Sequence, residues 1–191
     1  IALRPDFPAV ISYHDDFPKL VNRLGRELAK YGETFESVGE ITLAYPHKHP
    51  EKFKYAHNSG LRAANELHDM LLLHFRGLKA DFPIDFPRAD AICDTVHLGR
   101  SENQTTWHAL TTRQHYDVCE KAQKKPLSFL DPAQQDKPHY FIIVDWHIEQ
   151  GTTVANLASY LAHNGGRVLL ATHTGDTGIS LVPRDDYSRD N

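Results

Sequence analysis

The sequence predicts an α/β fold, a parallel β-sheet of about four or five strands with helices on both faces. Three observations carry that expectation. From residue 89 onward, short apolar runs alternate with helical patterns. The run Tyr140–Val144 ends abruptly on Asp145, and a glycine-containing loop and a helix follow. A second apolar run, Arg167–Thr172, opens just after Asn164-Gly165-Gly166. Strands joined by helices of this length pair in parallel through crossover connections.

The elements follow in order. Residues 1–14 are proline-rich and read as irregular. Asp15-Asp16 resemble a helix start, and Phe17, Leu20, Val21, Leu24 and Leu28 recur on one face until Gly32. Val38–Tyr45 reads as a strand closed by Pro46, and HKHPEKFKYAHN as a polar loop. Leu61, Ala64, Leu67, Leu71 and Phe75 mark a second helix that stops at Gly77. Residues 79–88, with three prolines, form a connector. Beyond it come a strand over Ala91–Leu98, a helix over Gln104–Lys124, a short strand over Leu127–Leu130 and the loop DPAQQDKP. His139–Val144 is the main strand. A helix over Thr153–His163 carries Val154, Leu157, Ala158 and Leu161 inward, and Asn164-Gly165-Gly166 suits its C-cap. The organisation expected is an N-terminal helical cap, residues 1–88, packed on an α/β core, residues 89–191, within one structural domain.

Bulk properties narrow the function. The chain has 191 residues, 40% hydrophobic and 24% charged, and a formal charge of −4. It lacks the clustered Lys and Arg that phosphate-backbone binding requires, so nucleic acid is not the expected partner. No run approaches the roughly 20 apolar residues of a membrane helix, and no signal-peptide pattern is present. Two cysteines, Cys93 and Cys119, without metal-ligand spacing, suit a reducing cytoplasm. The thirteen histidines are scattered, and ordinary hydrogen-bonded roles are expected for most. The chain begins at Ile1, which fits a trimmed chain or a piece of a longer polypeptide.

The functional signal sits at the end of the main strand. In open α/β sheets the C-terminal strand edge is where ligands bind. A loop of backbone N–H groups leading into a helix suits a phosphate. On these residues, FIIVDWHIEQGTTVANLASYLAHNGGRVLLAT (141–172), the chain resembles the type I phosphoribosyltransferases. The likeness is strong over about a sixth of the sequence, and the strand–helix order extends it weakly to about half. Such a motif is confirmed by its structural context.

The resemblance implies a Rossmann-like three-layer sheet. It also implies a glycosyltransferase of nucleotide metabolism that moves a ribosyl 5-phosphate from phosphoribosyl pyrophosphate (PRPP) to a nitrogen acceptor with Mg²⁺. Gln150, Gly151, Thr152 and Thr153 would then bind the 5-phosphate, with Gly151 admitting close backbone approach and the helix dipole adding positive potential. Asp145 would accept hydrogen bonds from the ribose hydroxyls, hold Mg²⁺ indirectly, and stabilise an oxocarbenium-like transition state. Glu149 would be a general base near the acceptor or, with equal weight, a solvated loop carboxylate. The pyrophosphate loop would be Gly99, Arg100 and Ser101, where a bland strand-to-helix turn is the competing reading. Arg113 and Lys137 are further cations, read chiefly as surface residues. PRPP and an acceptor are the expected partners, with neither nucleic acid nor membrane, and a homodimer as the admissible assembly.

Three departures stand out. Trp146 replaces the second acid of the family's pair and could stack on a base or pack on the sheet. His147 replaces an apolar residue. The loop DPAQQDKP is short where many members carry a mobile flap. These features keep a non-catalytic nucleotide-sensing or interaction module open as an alternative. Asp145 and His147, two apart, also admit a metal-dependent deacetylase-like hydrolase, although zinc needs further ligands that Glu149 and Gln150 do not supply. No GxGxxG follows any strand, which sets aside a dinucleotide binder.

Overall fold

The structure, a computed structural model, describes residues 7–46, 59–89, 136–148 and 151–175. Its elements are β1 (Val10–Ser12), α1 (Phe17–Ala29), β2 (Thr42–Ala44), α2 (Ser59–Leu78), β3 (Arg88–Ala89), β4 (His139–Val144), α3 (Thr152–His163) and β5 (Gly166–His173). The five strands form one sheet in the order β1-β5-β4-β2-β3, and every pairing is parallel.

Strand alternation sorts the apolar side chains into two layers. On one face Tyr140, Ile142 and Val144 of β4 join Ile11, Leu43 and Leu170 beneath α1 and α2, which contribute Leu20, Leu24, Leu28, Leu67 and Leu71. On the other, Phe141 and Ile143 meet Ala44 and Ala171 beneath α3, which contributes Val154, Leu157 and Leu161. Leu169 packs with Leu170 on the first face because the β4–β5 register slips between Phe141 and Ile142, leaving one extra residue on β5. The class is therefore α/β with helices on both faces.

The elements around β4 follow the sequence closely. β4 has the expected bounds. α3 starts one residue earlier than expected and ends at His163. Asn164 caps it, its Nδ2 donating to the Tyr160 carbonyl at 2.9 Å, and Gly165 turns the chain at φ 82°. α1 begins after Asp16, although no side-chain cap bond forms there. α2 runs one residue past Gly77.

The N-terminal third departs more. The segment expected to be irregular, 1–14, contains β1, which pairs with β5 from Val10↔Ala171 to Ser12↔His173. The strand expected over Val38–Tyr45 shrinks to Thr42–Ala44, because Thr34–Val38 closes a turn in which the Val38 N–H donates to the Thr34 carbonyl. The connector 79–88 ends in β3, which pairs with β2. The sheet thus crosses the boundary drawn near residue 88, with β1 and β2 lying in the same sheet as β4 and β5. The elements expected over Ala91–Leu98, Gln104–Lys124 and Leu127–Leu130 lie outside the described residues, as do Cys93 and Cys119.

Topology places the site. β2 and β4 are neighbours, yet the helix following β2 packs on one face and the helix following β4 on the other. Adjacent strands whose connections leave to opposite faces open a crevice at their C-terminal ends.

Candidate functional site

Asp145 stands at the C-terminal end of β4, beside this crevice. Its N–H donates to the Thr172 carbonyl at 3.0 Å, which carries the β4–β5 ladder one residue past the strand. Its Oδ1 accepts the Trp146 N–H at 2.7 Å. That bond fixes the carboxylate against its own backbone. Strand alternation assigns it to the α3 side, with Trp146 on the α1/α2 side.

Gly151 starts α3 in the left-handed region, at φ 71°. Its carbonyl accepts the Ala155 N–H at 2.8 Å, closing the first helical bond. Glycine offers no capping oxygen, so the first-turn N–H groups receive none from their N-cap residue. Thr153, half-buried, is the second residue of the helix. The reason for Gly151 differs in part from expectation. A Cβ there would come within 2.9 Å of the Phe7 ring tip. Phe7 thus covers the Cα side of the turn, so an anion meeting the amides would approach from the side away from Phe7.

Trp146 packs against the α1/α2 core, and its carbonyl accepts the Thr174 hydroxyl at 3.0 Å. The guanidinium of Arg62, in the first turns of α2, lies over its ring at 5.1 Å from the centroid. One turn along α2, Glu66 accepts the Tyr13 hydroxyl at 2.8 Å and meets His14 Nε2 at 3.1 Å. Burial pushes the Glu66 carboxyl up, but the Tyr13 and His14 bonds and the nearby Arg62 charge outweigh it and leave it below the ordinary range. Burial, reinforced by Glu66, drives the Tyr13 phenol far up, so it remains a donor.

Beside β4, His173 closes β5, and its Nδ1 accepts the Gly175 N–H at 3.0 Å. Its pKa is lowered, first by burial and then by the neighbouring His147, with Asp15 opposing. A neutral imidazole with Nδ1 as acceptor carries its proton on Nε2.

Asp145 and Trp146 thus lie just past β4, on opposite sides of the sheet, and Gly151, Thr152 and Thr153 at the start of α3. Glu149, Gln150, Gly99, Arg100, Ser101 and Arg113 lie outside the described residues. Lys137 is exposed and precedes β4, so the full strand, about 20 Å at the usual rise, separates it from the Asp145 end. Among the described residues no three His, Cys, Asp or Glu side chains converge on a cation, so Asp145 and His147 gain no third ligand there. Sequence reading missed Phe7, Tyr13, His14, Arg62 and Glu66. Each comes from a segment distant in sequence, and a short motif search carries no signal for such partners.

The chain matches no family model, no curated protein and no solved structure.

Proposed function

We propose that this chain binds PRPP or a related ribose 5-phosphate ligand and transfers the phosphoribosyl group to a nitrogen acceptor. One observation carries the reading. A central parallel strand ends on Asp145, and a left-handed glycine then launches a helix whose first-turn amides have no cap side chain at the N-cap. A dianionic phosphate suits those amides and the helix dipole. The carboxylate one short loop away suits vicinal ribose hydroxyls, because ionised acceptors make the stronger hydrogen bonds.

In the reaction, the bond from ribose C1 to the pyrophosphate oxygen breaks and a C1–N bond forms. Pyrophosphate leaves with the bonding pair, and the acceptor nitrogen loses its proton to a base. The Asp145 carboxylate favours the positive charge that develops on the ring. The resemblance implies Mg²⁺; Asp145, the carboxylate at this strand end among the described residues, would help to hold it, and the ion would supply charge neutralisation of the leaving diphosphate.

The test is titration calorimetry with PRPP and Mg²⁺, followed by a pyrophosphate-release assay across nucleobases. Binding with release supports transfer. Binding without release supports the nucleotide-sensing module instead, a reading favoured by Phe7 packed on Gly151 and by Trp146 in place of a second acid. Absence of PRPP binding defeats both.

A further inference from the structure

The crevice between β2 and β4 has two sides, and each carries a feature suited to negative charge. On the α3 side are the amides beyond Gly151. On the α2 side is Arg62, four residues into its helix. That helix start is pressed on the end of β2, since a Cβ on Gly60 would fall within about 3.5 Å of Tyr45 and Pro46 atoms. Arg62 therefore lies near the C-terminal ends of β2 and β4, on the face opposite α3. Its side chain is held over Trp146, the residue next to Asp145. Its charge acts on Glu66 through space, but among the described residues it forms no direct ion pair, and both Glu66 oxygens are engaged by Tyr13 and His14.

This arrangement inverts the charge expected at that position. Where a second acid would help to gather a cation, the chain places an indole carrying a guanidinium. Two cations competing for the same oxygens repel each other, whereas a guanidinium binds diphosphate oxygens directly. The described residues do not fit a metal held by paired carboxylates. They fit an anion held by arginine.

Resting on the phosphoribosyl reading above, we propose that Arg62, braced on Trp146, binds the diphosphate end of the ligand, so that recognition depends only weakly on Mg²⁺. The ligand class is a sugar phosphate with two separated anionic ends, one at the α3 amides and one at Arg62. Trp146 is a positioning residue, since it fixes the guanidinium instead of touching the diphosphate.

The experiment is calorimetry on the full chain with PRPP, pyrophosphate and ribose 5-phosphate, each in Mg²⁺ and in EDTA. The parent should bind PRPP in EDTA within a few-fold of its affinity in Mg²⁺. Arg62→Gln should weaken PRPP and pyrophosphate about tenfold in EDTA, the loss of one charge-assisted contact. Ribose 5-phosphate should be unaffected, and Arg62→Lys should recover part of the loss. Arg62 is exposed, so the variants should melt within a few degrees of the parent. The inference is overturned if Arg62→Gln binds pyrophosphate as the parent does, or if the parent binds PRPP only with Mg²⁺. Were ribose 5-phosphate still bound in either case, the phosphoribosyl reading would survive and this inference alone would fall. If neither sugar phosphate binds in either medium, both fall.

Discussion

Under the proposed function, ligand recognition turns on Asp145. Replacing it by Asn keeps the shape but removes the charge and one acceptor. Asp145→Asn should therefore weaken PRPP binding about tenfold, the worth of a charge-assisted hydrogen bond, as read by calorimetry. Gly151 carries two separable constraints, a left-handed backbone and the Phe7 ring against its Cα. Gly151→Ala should cost about 1–2 kcal/mol from the backbone alone and more from crowding. Adding Phe7→Ala should relieve the crowding and leave the backbone cost, a coupling that a double-mutant cycle in urea would reveal. Additive effects would show that Phe7 does not press on the turn. The sequence made Gly151 stand out, but it offered a phosphate as the sole reason. Phe7 lies more than a hundred residues away, and only folding brings it there.

At the scale of the element, α1 shows how a helix tolerates a buried carboxylate. Glu27 faces inward among Leu20, Leu24 and Leu28 and accepts bonds from Arg23 and Lys30, both at 2.6 Å. Burial pushes its carboxyl up, yet the Lys30 and Arg23 bonds prevail and hold it below the ordinary 4.5. A depressed native pKa means the unfolded chain takes up the proton first. The stability Glu27 contributes is thus present above pH 4.5 and lost as the pH falls below it through the native value. Glu27→Gln should lower stability by about 1 kcal/mol at neutral pH, since its partners are largely solvated, and by progressively less in acid. Melting curves for parent and variant that stay equally far apart at every pH would refute this assignment. The helix itself was legible from its apolar spacing. The inward glutamate was not, because its partners lie on or just past the same helix but its burial is set by the sheet beneath.

For the whole molecule, β4 is the common wall of two cores. Its odd and even residues face different helical layers, and all five residues from Tyr140 to Val144 are buried. Phe141→Ala should cost about 3–5 kcal/mol, measurable as a shifted urea midpoint. Its effect should exceed that of truncating an apolar residue on the edge strand β1. A loss under 1 kcal/mol would mean that α3 does not pack on the sheet as described. At the N-terminal ends of β4 and β5, Arg167 donates to the Tyr140 hydroxyl at 3.0 Å and lies over Tyr31 at 4.5 Å, tying both strands to the loop after α1. Among the described residues no helix is long and apolar enough to cross a membrane.

By itself the sequence determined the β4–α3–β5 unit, the parallel α/β class and the acidic strand end, because each is written in contiguous periodicity, a capping turn or a chain-local carboxylate. Only the tertiary structure decided that the proline-rich start supplies an edge strand, that Phe7 seals Gly151, and that Arg62 rests on Trp146 across the crevice from α3. β1 is three residues long and finds its place only against β5, and the other two contacts join residues far apart in the chain. Local pattern fixes the elements, whereas the partners of each side chain follow from which strands become neighbours, a choice made by burying both faces of the sheet at once.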